Sequence, residues 1–405
     1  MLVTKPPLGW NTWNTFAENI NEELILESAE AMIHSGLRDA GYEYIVIDDT
    51  WALKERDKSG HLVADPKKFP HGIGWLADEI HKRGFKFGIY SCAGYRTCAS
   101  YPGSYGHEWD DAKTFADWKV DFLKYDFCYR ATSVKADVLY KRMGLALRNC
   151  GRDIVFSACS WGIDNTRQWI KETGAHMWRS TADIFDNWAS IKSIAQSQVT
   201  ALEYNGHCCF NDMDMLVVGM HGRGHVGLKG CTAEEYRLHF SLWALLNSPL
   251  MIGCDIRNMD DETKEILLNK DIIAINQDGG AYQPYFINMY QFVPNENRKS
   301  KEPFFKEYPV DMPMIARFLD NGDIAIGIFN LGEEELSPWD NAVAPDVFGL
   351  TVESGKRLEL KNLWTGEVIP DSDGVIIPKC PPHSCIMYRA KLVDRKQGEK
   401  NDNKS

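Results

Sequence analysis

Asp126 ends the apolar run Phe122-Leu123-Lys124-Tyr125-Asp126, and Asp183 closes Met177-Trp178-Arg179-Ser180-Thr181-Ala182-Asp183. Each acid has a cation close by, Lys124 two residues before the first and Arg179 four before the second. Glycoside hydrolysis needs one ionised carboxylate as nucleophile and one carboxylic acid as proton donor, facing each other across a sugar. Two surface ion pairs would share this local sequence. The catalytic reading gains weight because polar residues recur at other strand ends. Tyr44-Ile45-Val46-Ile47 stops in Asp48-Asp49, adjacent acids whose repulsion calls for polar partners or substrate hydroxyls. Phe85 to Ser91 ends in Tyr90-Ser91, Asp153 to Trp161 ends in Cys159-Ser160-Trp161, and Asp212 and Asp214 sit at the edge of the apolar run Met215-Leu216-Val217-Val218.

Amphipathic helices must lie between these strands. From Asn21 to Leu37 the residues Ile25, Ala29, Met32, Ile33 and Leu37 fall on one face, with Asn21 as cap and Gly36 and Gly41 as punctuation. The pattern recurs over Ile73 to Arg83, Ala112 to Trp118, Tyr140 to Asn149, Asn165 to Glu172, Trp188 to Leu202 and Thr232 to Asn247. With Pro7 to Trp10 as opening strand and Ser248 to Gly253 as the last, eight βα units fit in the first ~280 residues, the size of a (β/α)8 barrel with its active site at the carboxyl ends of the strands. After Asp278-Gly279-Gly280 short alternating stretches such as Met314 to Phe318 and Asp323 to Phe329 take over, separated by turns such as Asp320-Asn321-Gly322. The expected fold is therefore α/β: a TIM barrel over residues 1–280, an antiparallel β-sandwich domain over 281–390, and a charged, disordered tail over 391–405.

The 405 residues, 44% of them hydrophobic, are enough for a two-domain enzyme with a large core. A formal net charge of −12 argues against nucleic acid or an anionic membrane as partner. No run of ~18 apolar residues offers a membrane span. The chain enters its first strand almost at once, and its eleven cysteines have no regular spacing; both suit mostly free thiols in the cytoplasm, or a secreted protein from which a signal has been removed.

Several stretches, in this order, resemble glycoside hydrolase family 27, which holds the α-galactosidases and α-N-acetylgalactosaminidases. They are Leu8-Gly9-Trp10-Asn11-Thr12-Trp13, Ile47-Asp48-Asp49-Thr50-Trp51, Ala64 to Gly72, Tyr101-Pro102-Gly103-Ser104, Phe122 to Asp126, Trp178 to Asp183 and Asn211 to Leu216. The resemblance implies retaining hydrolysis of terminal α-linked galactose from oligosaccharides or glycoconjugates, with Asp126 as nucleophile and Asp183 as general acid/base. It also implies an ionised Asp126 beside Lys124 and an Asp183 that stays protonated until used. Its sugar-binding positions match Trp13, Asp48 and Asp49 at the 4- and 6-hydroxyls, Tyr90, Lys124, Ser160, Trp161, Arg179 near the 2-hydroxyl, and Asp214 with Met215. Cys98 and Cys128 match the family's active-site disulfide, a bridge that geometry invites and a cytoplasm opposes. A second family disulfide has Glu18 and Thr50 in its place.

Ser160 divides the family. Many α-galactosidases carry glutamate there, and N-acetylgalactosaminidases carry serine with a small residue three positions on, where this chain has Ile163. α-Galactosidase is the expected activity, with α-N-acetylgalactosaminidase as the alternative. A non-catalytic sugar-binding protein would need neither Asp126 nor Asp183, and a transglycosylase would use both. The string Gly222-Arg223-Gly224-His225-Val226-Gly227 reads as a barrel loop rather than a nucleotide site, since no helix opens on it. Asp212 and Asp214 lack His or Cys companions for a metal. Neither a metal nor a cofactor is expected; a homo-oligomer is compatible with the sequence.

Overall fold

The structure, a computed structural model, describes residues 2–199, 201–204, 206, 208–287, 311–336, 343–372 and 378–395. It divides into two compact units, residues 1–277 and 278–405.

In the first unit eight parallel strands stand in sequence order: β1 Leu8–Asn11, β2 Tyr44–Val46, β3 Lys86–Cys92, β4 Phe122–Asp126, β5 Val155–Ala158, β6 Met177–Arg179, β7 Phe210–Asp212 and β8 Leu250–Ile252. β8 pairs with β1. The ring closes between β7 and β8 through Leu216, whose N–H donates to the Met251 carbonyl at 2.8 Å. The apolar run Met215–Val218 thus lies beyond the strand that carries Asp212, as the closing segment.

Strand side chains alternate between faces, and one face of each strand lines the barrel interior. Tyr44, Val46, Phe122, Val155, Met177, Phe210 and Met251 form a single apolar cluster there. Two residues further along the same faces come Asp48, Lys124 and then Asp126, Ser157 and then Cys159, Arg179 and Asp212. The interior is therefore apolar at one end and charged at the carboxyl end. Gly88 makes room inside: a Cβ on it would meet Val46 Cγ2 at 2.6 Å.

The helices follow the expected alternation. Glu22–Ser35 is capped by Asn21, whose side chain accepts from Leu24 N at 2.8 Å, and ends on Gly36 at φ 87°. Thr232 and Glu235 form a reciprocal capping box before Ala233–Leu245. Helices Glu108–Asp117 and Ala136–Arg148 begin about a turn earlier than apolar periodicity suggests, because their first turns carry acids that favour a helix N-terminus. The expected helix over Asn165 to Glu172 is one turn, Thr166–Trp169, followed by a tighter 3-10 turn.

In the second unit six strands form one antiparallel sheet: β9 Tyr285–Phe286, β10 Met314–Phe318, β11 Ile324–Asn330, β12 Lys356–Asn362, β13 Val368–Ser372 and β14 Ser384–Asp394, in the order β9-β10-β11-β14-β12-β13. Met314, Ile324, Ile326, Ile328, Leu358 and Leu360 build its core. β14 runs through Lys391–Asp394, where charge alone suggests a tail, because Lys356–Glu359 offers a complete row of backbone partners. The rest of the expected tail, 396–405, lies outside the described residues. Among the described residues no helix is long and apolar enough to cross a membrane.

Candidate active site

At the end of β4 the inward column delivers Lys124 and Asp126 side by side with β3, where Tyr90 pairs with Lys124 and Cys92 with Asp126. Lys124 Nζ donates to Asp48 Oδ2 at 2.8 Å, and Asn11 Nδ2 donates to the same oxygen at 2.8 Å. Burial works against the Lys124 charge and the Asp48 carboxylate outweighs it, so the ammonium is held above its ordinary range. Asp49 accepts from Thr50 N at 2.7 Å and from Ala99 N at 2.9 Å. Burial still raises its carboxyl above the usual range.

Asp126 accepts from Phe127 N at 2.8 Å and from the Tyr90 hydroxyl at 3.1 Å. It is 6% exposed, and burial pushes its carboxyl up to about 6 even though Lys124 and the Phe127 N–H pull the other way. Cys98 and Cys128 are joined by a disulfide with their Cα atoms 5.2 Å apart. Tyr90 Oη lies 3.5 Å from Cys98 Sγ, and its proton goes to the nearer and stronger acceptor, Asp126.

Past β6 the chain presents Asp183 in other surroundings. Arg179 Nη2 donates to Asp183 Oδ1 at 2.8 Å and to the Thr181 carbonyl at 3.1 Å, while Nη1 lies 3.0 Å from Asp214 Oδ1. The Arg179 side chain is 5% exposed and that of Asp183 67%. What burial Asp183 has raises its carboxyl, but the guanidinium outweighs it and the net shift is downward. Asp212, buried beneath, is pushed up to about 6 by loss of solvent, with Arg179 opposing. Burial thus exceeds the Lys124 attraction at Asp126, whereas at Asp183 Arg179 exceeds burial and favours the ionised form over the expected protonated one.

Asp126 and Asp183 line one cavity of about 120 Å3, together with Trp13, Asp48, Asp49, Tyr90, Cys98, Lys124, Trp161, Arg179, Asp214 and Met215. Ser160 and Cys128 are the exceptions among the sequence-derived positions. Val155, Ser157 and Cys159 alternate inward, so Ser160 turns outward; it is fully buried and its hydroxyl shares a 2.7 Å hydrogen bond with Thr166. A larger cavity of about 440 Å3 lies at the other end of the barrel, against Ile154, His176 and Cys209, which precede β5, β6 and β7. Catalysis on this fold belongs to the opposite end.

Asn14, Phe185, His225 and Val226 also line the small cavity, and the sequence did not single them out. The discounted glycine string carries two of them. Gly224, at φ 79°, lets the backbone approach so closely that a Cβ would meet Thr15 Cα at 2.7 Å. His225 N then donates to Thr15 O at 3.2 Å, Val226 N to Asn14 O at 3.0 Å, and the His225 ring sits edge-on to Trp13, centroids 5.3 Å apart. Cys98, Asp126 and Cys128 place potential ligand atoms within 4.8 Å of one another, but both sulfurs are spent in the disulfide.

Comparison with known proteins agrees with this geometry. Residues 5–278 match the family model for alpha galactosidase A, and residues 311–390 match that for the alpha galactosidase C-terminal beta sandwich domain. The chain is 50% identical over 388 residues to alpha-galactosidase 3 of Arabidopsis thaliana, covering 96% of this chain and 82% of that one. The crystal structure of alpha-galactosidase I from Mortierella vinacea superposes with a TM-score of 0.83 at 33% identity, over 96% of this chain and 97% of its own. That of the Saccharomyces cerevisiae enzyme with raffinose gives 0.80 at 28% identity, over 96% and 98%.

Proposed function

The chain belongs to the α-galactosidase family, glycoside hydrolase family 27, and hydrolyses α-galactosides; from that premise we propose a double displacement with retention, Asp126 as nucleophile and Asp183 as acid/base. The observation that carries this reading is the cavity itself, where a buried and a solvent-reached carboxylate line the same walls as the paired acids Asp48 and Asp49.

Asp126 Oδ attacks the anomeric carbon as the glycosidic bond breaks, and the leaving oxygen takes the Asp183 proton. Asp183, now a carboxylate, takes one proton from the incoming water as the water oxygen bonds to the anomeric carbon and the bond to Asp126 breaks, which leaves Asp183 protonated and Asp126 ionised as at the start. Galactose differs from glucose by its axial 4-hydroxyl. A site built to accept from a hydroxyl rejects analogues that misplace it, a role that suits Asp48 with its Lys124 and Asn11 partners. The substrate class is terminal α-galactosyl units on small oligosaccharides; raffinose, seen with the yeast relative, is of this kind. The acetamido alternative rests on Ser160, whose hydroxyl is engaged with Thr166 away from the cavity, so galactose is the favoured sugar.

The test is initial rates on an aryl α-galactoside and an aryl α-N-acetylgalactosaminide in parallel, with Asp126→Asn as control and NMR of the first-formed sugar. Faster galactoside cleavage and α-galactose as first product are expected. Faster cleavage of the acetamido sugar would reverse the substrate, and β-galactose as first product would end the double-displacement reading.

A further inference from the structure

We propose that Asp214 is a positioning residue for the acid/base step: its carboxylate shares Arg179 with Asp183, and so limits how tightly Arg179 holds Asp183 ionised. This rests on the reading of Asp183 as acid/base.

Resemblance makes Asp214 a sugar contact, and it lines the cavity, but three contacts from the protein already hold its carboxylate. Oδ1 accepts from Met215 N at 2.8 Å and faces Arg179 Nη1 at 3.0 Å; Oδ2 accepts from Ile184 N at 2.7 Å. Its N–H donates to Asp212 Oδ1 at 2.9 Å, and its carbonyl accepts from Trp243 Nε1 at 2.9 Å. The backbone sits at φ 82°, in the left-handed region that a non-glycine residue occupies only when its surroundings hold it there. At 4% exposure Asp214 is fixed on every side. What it touches is the machinery of Asp183: the guanidinium that pairs with that acid, and the N–H of the next residue.

One guanidinium therefore bridges a buried carboxylate and a solvent-reached one. Charge attraction is stronger where water is excluded, so buried Asp214, at 3.0 Å, competes for Arg179 with Asp183, which holds the shorter 2.8 Å hydrogen bond. The titratable groups around Asp183 are Arg179 from β6, Lys124 and Asp126 from β4, Asp214 past β7, and the Cys159 thiol past β5, which burial keeps neutral. Removing the Asp214 charge leaves Arg179 to Asp183 alone. Asp183 then holds its proton less well, and departing groups that need that proton suffer.

The experiment measures kcat/KM against pH for Asp214→Asn on methyl α-galactoside, a poor leaving group, and on α-galactosyl fluoride, which departs without strong proton assistance. The acid limb for the methyl glycoside should fall by about one pH unit, with a roughly tenfold lower plateau. The fluoride should lose far less, and Asp214→Glu should restore the limb. An unmoved limb with equal losses on both substrates would make Asp214 a sugar contact and overturn the proposal. Should Asp214→Asn fail to fold, Arg179→Lys gives a test of opposite sign: an ammonium cannot bridge both acids, stays with buried Asp214, and releases Asp183, so the limb rises. A limb that stays or falls overturns the proposal. Asp183→Ala is the control for the underlying reading: if it fails to discriminate the two substrates, the acid/base assignment is what has failed.

Discussion

The wall built from β4 and the wall past β6 present the same functional group in opposite surroundings. Asp126 is enclosed, held by Phe127 N–H and the Tyr90 hydroxyl beside the Cys98–Cys128 disulfide, and its carboxyl is pushed up to about 6. Asp183 is mostly open to water and bound by Arg179, which holds it below the usual range. With one proton between the two carboxyls, these surroundings favour it on Asp126, the proposed nucleophile, over Asp183, the proposed acid/base. A nearby cation did not decide the charge of either acid alone. Lys124 is spent mainly on Asp48, and solvent access settled the remainder.

The sharpest way to break this comparison is to remove each carboxylate in turn. Asp126→Asn should cost at least about 10⁴ in kcat/KM whatever the leaving group, since an amide in place of the proposed nucleophile cannot form the glycosyl intermediate. Asp183→Ala should cost about 10³ on methyl α-galactoside and little on galactosyl fluoride. Measured on both substrates, equal selectivity in the two variants would erase the distinction between the walls.

The placement of the proton makes a second, smaller demand, on pH. A methyl galactoside needs the site singly protonated, so its kcat/KM should decline about tenfold per unit once pH passes the Asp126 value of about 6. Galactosyl fluoride needs only ionised Asp126, so its kcat/KM should climb toward that same pH and level off above it. A methyl galactoside profile that rises with that of the fluoride through pH 6 and falls only at higher pH would mean that Asp183, and not Asp126, holds the last proton.

Much of this site could be read from the chain because a barrel strand exposes every second residue to the interior. Phe122, Lys124 and Asp126 had to share a face, as did Met177 and Arg179, and strand-end acids could only gather at one rim. Features that depend on distant partners were out of reach. Strand alternation alone turns Ser160 outward, but its hydroxyl partner Thr166 could not be foreseen, and His225 entered the cavity through backbone bonds to Asn14 and Thr15, far away in the chain. Ring closure by Leu216 and strand pairing at Lys391–Asp394 likewise need partners that no local pattern announces. The direction of the two carboxyl shifts was misjudged for the same reason: proximity in sequence showed each cation, but not the burial or the competing acids.

The disulfide sharpens the comparison from the enclosed side. Cys98 carries Ala99, whose N–H donates to Asp49 Oδ2 at 2.9 Å, so the bridge to Cys128 holds together the end of β4 and the acid pair. Cys98→Ser should raise KM for an aryl α-galactoside by about three- to tenfold, with a smaller change in kcat, as one oriented N–H is loosened. The open wall shares no such tie, so the leaving-group selectivity of the variant should stay that of the parent. A change in selectivity would show that the two walls move together.

The smallest effect concerns stability. An unfolded Asp126 ionises near its ordinary 3.8 and the folded one at about 6. Below both values each state holds the proton and nothing is lost. Between them the folded state keeps a proton that the unfolded state has released, so rising pH weakens the fold through this window, by on the order of 3 kcal/mol in total, and the loss is complete above about 6. Asparagine has no such proton. Asp126→Asn should therefore gain Tm relative to the parent between pH 4 and pH 7 in thermal unfolding, whatever its offset at pH 4. Asp183→Asn should do the reverse in a lower window: Arg179 stabilises the ionised form of Asp183, that contribution is fully present at pH 7 and is lost as pH falls below about 4 through the lowered value, so the variant should gain on the parent as pH falls there. Opposite signs in these two differences would reproduce the contrast between the walls without any substrate in the cuvette; like signs would mean that one of the two environments has been read wrongly.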